Sequence, residues 1–179
     1  HLGKEVHWIW DDTTPGMASG DLFIGRRGDL IEMDFPRFAL NEVPVTDEME
    51  AAMGARPLEA YLDRDLLLVY GDEAVVRGMK PDLEQVAQFT CMGVAVTAPG
   101  SDHDCVSRFF APQVAIDEDP VTGSVHCMIA PYWGARLGKQ VISAYQASSR
   151  GGEMVCELRG ERVAVLGRAA LFASAELAI

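Results

Sequence analysis

Apolar and polar residues alternate from Glu5 to Trp10, with Val6, Trp8 and Trp10 on one face, which is the period of a half-buried strand. Two further strand-like runs, 21–24 and 30–35, flank the polar Gly25-Arg-Arg-Gly-Asp29 and predict a β-hairpin that Pro36 ends. In that reading Arg26 and Arg27 are solvated turn charges. Thr46 to Gly54 has a capping residue, early acids and a terminal glycine, so a short helix is expected there. Strand patterns over 58–62 and 65–70 lie on either side of an Asp63-Arg64 turn, and Pro81 to Phe89 has the proline start and one-sided apolar spacing of a helix.

The stretch 91–98 is almost wholly apolar and branched, as a strand buried on both faces requires, and 105–110 is another strand. From Thr122 the period changes. Val125, Met128, Ile129, Tyr132 and Leu137 recur at helical spacing up to Gly138, with Pro131 as a kink, which predicts a buried helix over about 122–137. Four more strand patterns follow at 141–148, 154–158, 162–166 and 169–175, separated by turns at Gly151-Gly152 and Gly160-Glu161. Many short strands and one strongly apolar helix point to an α+β fold in which mostly antiparallel strands surround a central helix.

With 179 residues and 49% hydrophobic content the chain can bury a substantial core. Charged residues are spread along it, and no apolar run approaches the roughly 20 residues of a membrane span, so no membrane partner is expected. A net charge of −12 without a basic patch opposes nucleic-acid binding. Cys91, Cys105, Cys127 and Cys156 show no paired spacing and read as reduced core thiols of a cytoplasmic protein rather than metal ligands. The chain opens on His1 rather than Met and shows no signal-peptide pattern.

Candidate chemistry concentrates in Ile116-Asp-Glu-Asp-Pro-Val-Thr-Gly-Ser-Val-His-Cys127. Three acids precede a Thr122-Gly123-Ser124 step that opens the apolar helix. The first amides of a helix lack intrahelical partners and carry the positive end of its dipole, so a carboxylate can bind there. Gly123 permits close approach, Ser124 adds a hydroxyl, and Asp119, held extended by Pro120, stands beside them. Taken alone, the segment is more simply a helix cap, with Asp119 and Thr122 capping and Asp117 and Glu118 complementing the dipole. Other chemistries fit less well. A nucleophile elbow needs a glycine where His126 stands, and no glycine-rich phosphate cradle occurs, so no nucleotide or other cofactor is expected. Arg150-Gly-Gly152 reads as a turn, and Tyr132 and Trp133 as helix packing.

Glu118-Asp-Pro-Val-Thr-Gly-Ser-Val-His126 resembles the hallmark E-D-P-V/A-T-G-S-A/V-H of the phenazine-biosynthesis (PhzF-like) isomerases, relatives of diaminopimelate epimerase by fold. The likeness extends through Arg108-Phe-Phe-Ala-Pro, Ala130-Pro-Tyr-Trp133, Arg136-Leu-Gly-Lys139 and Gln146-Ala-Ser-Ser-Arg-Gly-Gly152, and more weakly to Met33-Asp-Phe-Pro36 and 66–70. It implies a diaminopimelate epimerase-like fold: a mixed, mostly antiparallel β-barrel around a central α-helix, with a partial first barrel. Residues 1–55 would be the remnant of an N-terminal barrel, 56–166 the C-terminal barrel, and 167–179 a strand returning to the first.

The resemblance further implies that Asp119 is an active-site acid, that Thr122, Gly123 and Ser124 contact a small carboxylate substrate, and that His126 faces the helix interior. The family's cysteine-pair branch is set aside because 119–124 contains no cysteine. The family's principal glutamate and a Gly-His step would lie upstream of His1, so these 179 residues are expected to be a truncated, inactive part of a homodimeric isomerase. A stand-alone carboxylate-binding module is the alternative. Exposed strand faces near Trp8 and Phe23 would favour self-association.

Overall fold

The computed structural model describes residues 23–169; the strand patterns predicted at Glu5 to Trp10 and 169–175 lie outside the described residues apart from Ala169. Ten strands form one sheet: β1 Phe23–Arg27, β2 Leu30–Pro36, β3 Asn41–Val43, β4 Glu59–Leu62, β5 Leu66–Val69, β6 Val94–Pro99, β7 Cys105–Phe110, β8 Val141–Gln146, β9 Gly152–Arg159 and β10 Arg162–Gly167. Four helices join them, α1 Asp47–Met53, α2 Glu73–Gly78, α3 Leu83–Val86 and α4 His126–Leu137. The strand order is β1-β2-β10-β9-β8-β7-β6-β5-β4-β3. Among the described residues only β5 with β6 and β7 with β8 run parallel. A parallel neighbour demands a crossover, and α2 with α3 forms one while α4 forms the other.

The period of two in the central strands explains the layering. Leu67, Val69, Ala95, Cys105 and Phe109 face a core built around α4, which Ile142 and Ala144 of β8, Met154 and Cys156 of β9, and Val163 and Val165 of β10 extend. Their alternates Leu66, Leu68, Val94, Val96, Val106 and Phe110 face the opposite side and pack under α1, α2 and α3. The helix α4 is therefore buried from His126 to Gly134, as its nearly continuous apolar sequence requires. Pro131 cannot donate to Cys127, and the freed Cys127 carbonyl instead accepts the Phe38 amide at 3.2 Å.

The mixed α+β architecture is as expected, but the sheet is not a closed barrel. Among the described residues β1 and β3 each pair with one strand only. Closure requires two edges able to form a ladder; β3 has three residues, and the outer strand β1 carries exposed Arg26 and Arg27, features that discourage edge pairing. Arg26 and Arg27 are also strand residues rather than turn charges, and Arg27 reaches Glu32 and Glu157 across the sheet. Turning at Gly28, which has φ +62°, the predicted hairpin is present.

Helix α1 matches its expected caps: the Thr46 hydroxyl accepts from the Met49 amide at 3.3 Å, and Gly54 closes the helix in the left-handed region. Tyr132 and Trp133 pack in the core with their polar ends satisfied, by Glu59 at 3.1 Å and Thr97 at 2.9 Å. Among the described residues no helix is long and apolar enough to cross a membrane.

Candidate active site

The site segment lies in the β7-to-α4 crossover. After Phe110 the chain makes a single 3-10 turn over Pro112–Val114, passes Ala115 in the left-handed region, and returns so that the Asp119 amide donates to the Phe109 carbonyl at 3.0 Å. Gln146 Nε2 holds the Asp119 carbonyl at 2.7 Å, and the Ser148 hydroxyl holds that of Pro120 at 2.7 Å. The Asp119-Pro120 peptide is thus tied to β7 and to the end of β8. Glu118 points elsewhere: it forms a two-pronged pair with Arg108 at 2.7 and 3.0 Å, and Arg108 also donates to the Met79 and Val76 carbonyls at the end of α2.

The Thr122 hydroxyl donates to the Asp119 carboxylate at 2.6 Å. Gln146, wholly buried, fixes that direction from behind: its Oε1 accepts the Thr122 amide at 2.7 Å, and its Nε2 donates to the Thr122 hydroxyl at 3.1 Å. A hydroxyl that accepts from Gln146 has its own hydrogen left for Asp119. Two expectations are corrected here. The helix starts at His126 rather than near 122, and no side chain caps it. The Thr122 hydroxyl is committed to Asp119, and the Thr122 carbonyl, which a regular helix would give to the His126 amide, is 2.7 Å from His126 Nδ1 instead. The His126, Cys127 and Met128 amides turn back by three residues to Gly123, Ser124 and Val125, tightening the entry.

Since the carbonyl can only accept, His126 Nδ1 carries the hydrogen and Nε2 is left to face the Ser107 hydroxyl at 3.3 Å. Burial lowers the His126 pKa to about 4, so the ring is neutral and structural at ordinary pH. Cys127 is likewise buried, and its thiol is pushed well up by desolvation. Among the described residues no three His, Cys, Asp or Glu side chains gather into a metal site.

The amides of Gly123, Ser124 and Val125 have no acceptor among the described residues. A methyl at Gly123 would press on Met33 at 3.2 Å and be in ordinary contact with Phe35 at 3.6 Å, so the turn sits directly against β2. A cleft of about 1070 Å³ reaches this turn at Val121 and Gly123, with Met33 and Gly152 among its walls; Asp119, Thr122 and Ser124 do not line it. The glycines of the Arg150-Gly-Gly152 turn are explained by crowding, since an added methyl would lie 2.2 Å from the Tyr145 hydroxyl at Gly151 and 2.4 Å from Val121 at Gly152. Two residues that the sequence reading assigned no role complete the site. Gln146 governs Thr122, and Arg64, from the β4-to-β5 turn, donates to the Ser124 hydroxyl at 2.8 Å. The only sequence signal for the first was its place in the family-like 146–152 stretch; Arg64 had none.

An acid bonded by the Thr122 hydroxyl and a turn of unpartnered amides, steadied by Gln146 and Arg64, mark this as an α+β protein whose candidate site lies in the crossover entering its buried helix. A family model described as phenazine biosynthesis-like protein matches residues 24–175. The chain is 46% identical over 160 residues to an uncharacterized isomerase of Pseudomonas aeruginosa, a match covering 89% of this chain and 61% of that relative. It is 43% identical to a solved phenazine biosynthesis protein of the PhzF family from Enterococcus faecalis, with a TM-score of 0.83 over 87% of this chain and 60% of that one. A predicted epimerase from Pseudomonas aeruginosa, 19% identical with a TM-score of 0.59 over 95% of this chain and 68% of that one, shares the fold alone. This chain belongs to the phenazine biosynthesis-like family, and it spans less than two thirds of the length of the first two of these relatives.

Proposed function

We propose that these residues carry the Asp119 half of an isomerase site that moves a proton between carbons of a small carboxylate metabolite. The observation that carries the reading is the Thr122 hydroxyl held on Asp119 beside the three unpartnered amides of 123–125. The relative named as an isomerase supports the reaction class. In this reading the substrate carboxylate rests on the Gly123 to Val125 amides, where the helix dipole and the unmet N–H groups favour negative charge. The Asp119 carboxylate takes a proton from a neighbouring carbon and becomes the acid; the C–H electron pair enters the conjugated system of the substrate. A proton returned to another carbon restores the π-bond pattern in its new place, with a second acid/base group completing the cycle. Charge that develops on the substrate carboxylate meets donors already in place.

The protein is read as a cytoplasmic homodimer in which a first barrel supplies the second acid/base group. A non-catalytic carboxylate-binding module has one observation in its favour: among the described residues the side-chain hydrogen bond to the Asp119 carboxylate comes from the Thr122 hydroxyl and none from an imidazole.

The test is deuterium exchange. The product of the complete reading frame is incubated in D₂O with a panel of small cyclic and amino carboxylates, and C–H signals are followed by proton NMR. Deuterium is expected to enter at least one of them, and Asp119→Asn should slow entry by about 10²- to 10⁴-fold, the usual contribution of a positioned acid or base. Exchange that persists unchanged in Asp119→Asn refutes the role, whereas binding without exchange establishes the module.

A further inference from the structure

We infer that Arg64 is a substrate-positioning residue that turns Ser124 into an obligate donor and adds a cationic contact to the same carboxylate; this rests on the anion-site reading proposed above. Arg64 lies 60 positions before Ser124 and comes from the β4-to-β5 turn, and its Nη2 donates to the Ser124 hydroxyl at 2.8 Å. A serine oxygen that accepts from a guanidinium keeps its own hydrogen to give away, and among the described residues no acceptor receives it. The same logic governs Thr122, which accepts from Gln146 and donates to Asp119. Thr122 gives its hydrogen to the acid. Ser124 is left to give its hydrogen to a ligand.

Arg64 is held for this task. Its Nε and Nη2 both bond Asp65 Oδ2, at 3.0 and 2.5 Å, and its guanidinium carbon stands 4.8 Å over the Phe38 ring. Asp65 is completely buried, and its second carboxylate oxygen meets no donor in good hydrogen-bond geometry, with only a weak approach of the Gly93 amide to the carboxylate. A buried carboxylate left half-satisfied is costly, and a turn needing only polarity would do without it. What Asp65 provides is a fixed fork: with Nε and Nη2 engaged, Nη1 is the remaining nitrogen, and it has no acceptor among the described residues. The Arg64 side chain is 16% exposed. The Ser124 hydroxyl, the amides of 123–125 and Arg64 Nη1 are donors with no acceptor among the described residues, while the neighbouring Asp119 carboxylate already accepts from Thr122. Such a surface matches a carboxylate, which accepts on both oxygens and donates nothing, and it rejects the corresponding amide, whose NH₂ would face other donors.

The experiment uses the full 179-residue chain, with benzoate as probe and benzamide as its neutral counterpart, followed by ¹⁵N amide shifts and repeated at two salt concentrations. Benzoate is expected to move the Gly123, Ser124 and Val125 amides, more weakly at high salt, and benzamide to leave them in place. Arg64→Gln should weaken benzoate about tenfold or more, the scale of a charge-assisted hydrogen bond, and flatten the salt dependence. Arg64→Lys keeps the charge but cannot bond Asp65 and Ser124 in the same fork, and should fall between the two. Wild-type affinity and salt dependence in Arg64→Gln overturn the role of Arg64 while leaving the anion site standing. If benzoate moves none of the three amides in the wild-type chain, the anion site and the inference fall together. Should Arg64→Gln not fold, an Arg64→Lys affinity within twofold of wild type overturns the inference.

Discussion

His126 makes the fold sensitive to mild acid. In the folded chain its ring is wholly buried, and its pKa is lowered to about 4 by desolvation, against which the Thr122 carbonyl is a smaller opposing influence. The unfolded chain exposes the ring and binds a proton at about 6.5. Between those values the unfolded state holds more protons than the folded one, so stability falls as the pH falls. The full contribution is present above about pH 6.5 and is lost progressively down to about pH 4. A separation of about 2.5 units corresponds to about 3 kcal/mol at 1.36 kcal/mol per unit, of which about 2 kcal/mol disappears between pH 7 and pH 5. Carboxylates held low by arginine or lysine partners, such as Glu157 at about 2 and Asp104, exchange protons with the unfolded state only below their ordinary values near 4, and Asp65, raised by burial, acts in the opposite sense. These groups are common to the wild type and a His126→Asn variant, so the difference between the two isolates His126. Urea unfolding at pH 7, 6 and 5 on the wild type and on His126→Asn measures the difference. The variant should be weaker at pH 7, having lost the Ser107 and Thr122 contacts, but should change about 2 kcal/mol less than the wild type between pH 7 and 5. Equal pH slopes in the two proteins would refute the assignment, since every other histidine is common to both.

Two further substitutions probe the supports of Asp119. Gln146→Leu fills the space but strips Thr122 of two partners and the Asp119 carbonyl of one, leaving buried polar groups unmet; it should cost about 3 kcal/mol in urea unfolding, and a loss below about 1 kcal/mol would show the network to be dispensable. Gly152→Ala places a methyl 2.4 Å from Val121 and should lower stability by about 1–3 kcal/mol through overpacking. Adding Val121→Ala should restore most of that loss in thermal denaturation, and simple additivity of the two changes would count against the contact.

The parts of the fold legible in the sequence were those decided by neighbours along the chain. Thr46 and Gly54 announced α1 at both ends, and the strand reading of 105–110 coincides with β7. Helix α2 was missed because its six residues bury only Val76 and so carry no apolar stripe; its one local signal was Asp72, whose carboxylate accepts from the Ala74 amide. Pro81 to Phe89 yielded only the single turn α3, since Val86 alone of its helical residues is buried. Strand β6 begins at Val94 rather than Cys91, because the Cys91 amide turns back to the Phe89 carbonyl and Gly93 lies too close to Phe109 for any side chain. Strand order left no local trace. Whether the ladder closes depends on pairing between residues far apart, and the apolar period is identical in an open and a closed sheet.

The site shows the same division at closer range. The Asp119 to Ser124 stretch stood out by residue type, yet its geometry depends on two side chains distant in sequence, one from a strand and one from a turn. Local logic predicts a capped helix from Thr122, and it fails because Asp119 and His126 take the Thr122 hydroxyl and carbonyl away from the backbone. A cap needs only its own helix. A hydroxyl aimed at an acid needs something to hold its lone pair, and here Gln146 from β8 does so for Thr122 as Arg64 from the β4-to-β5 turn does for Ser124. The sheet between those two strands is therefore part of the site. The pairing of its strands sets where Gln146 and Arg64 stand, so a substitution that shifts β8 against β5 should disturb Asp119 and Ser124 together without touching either.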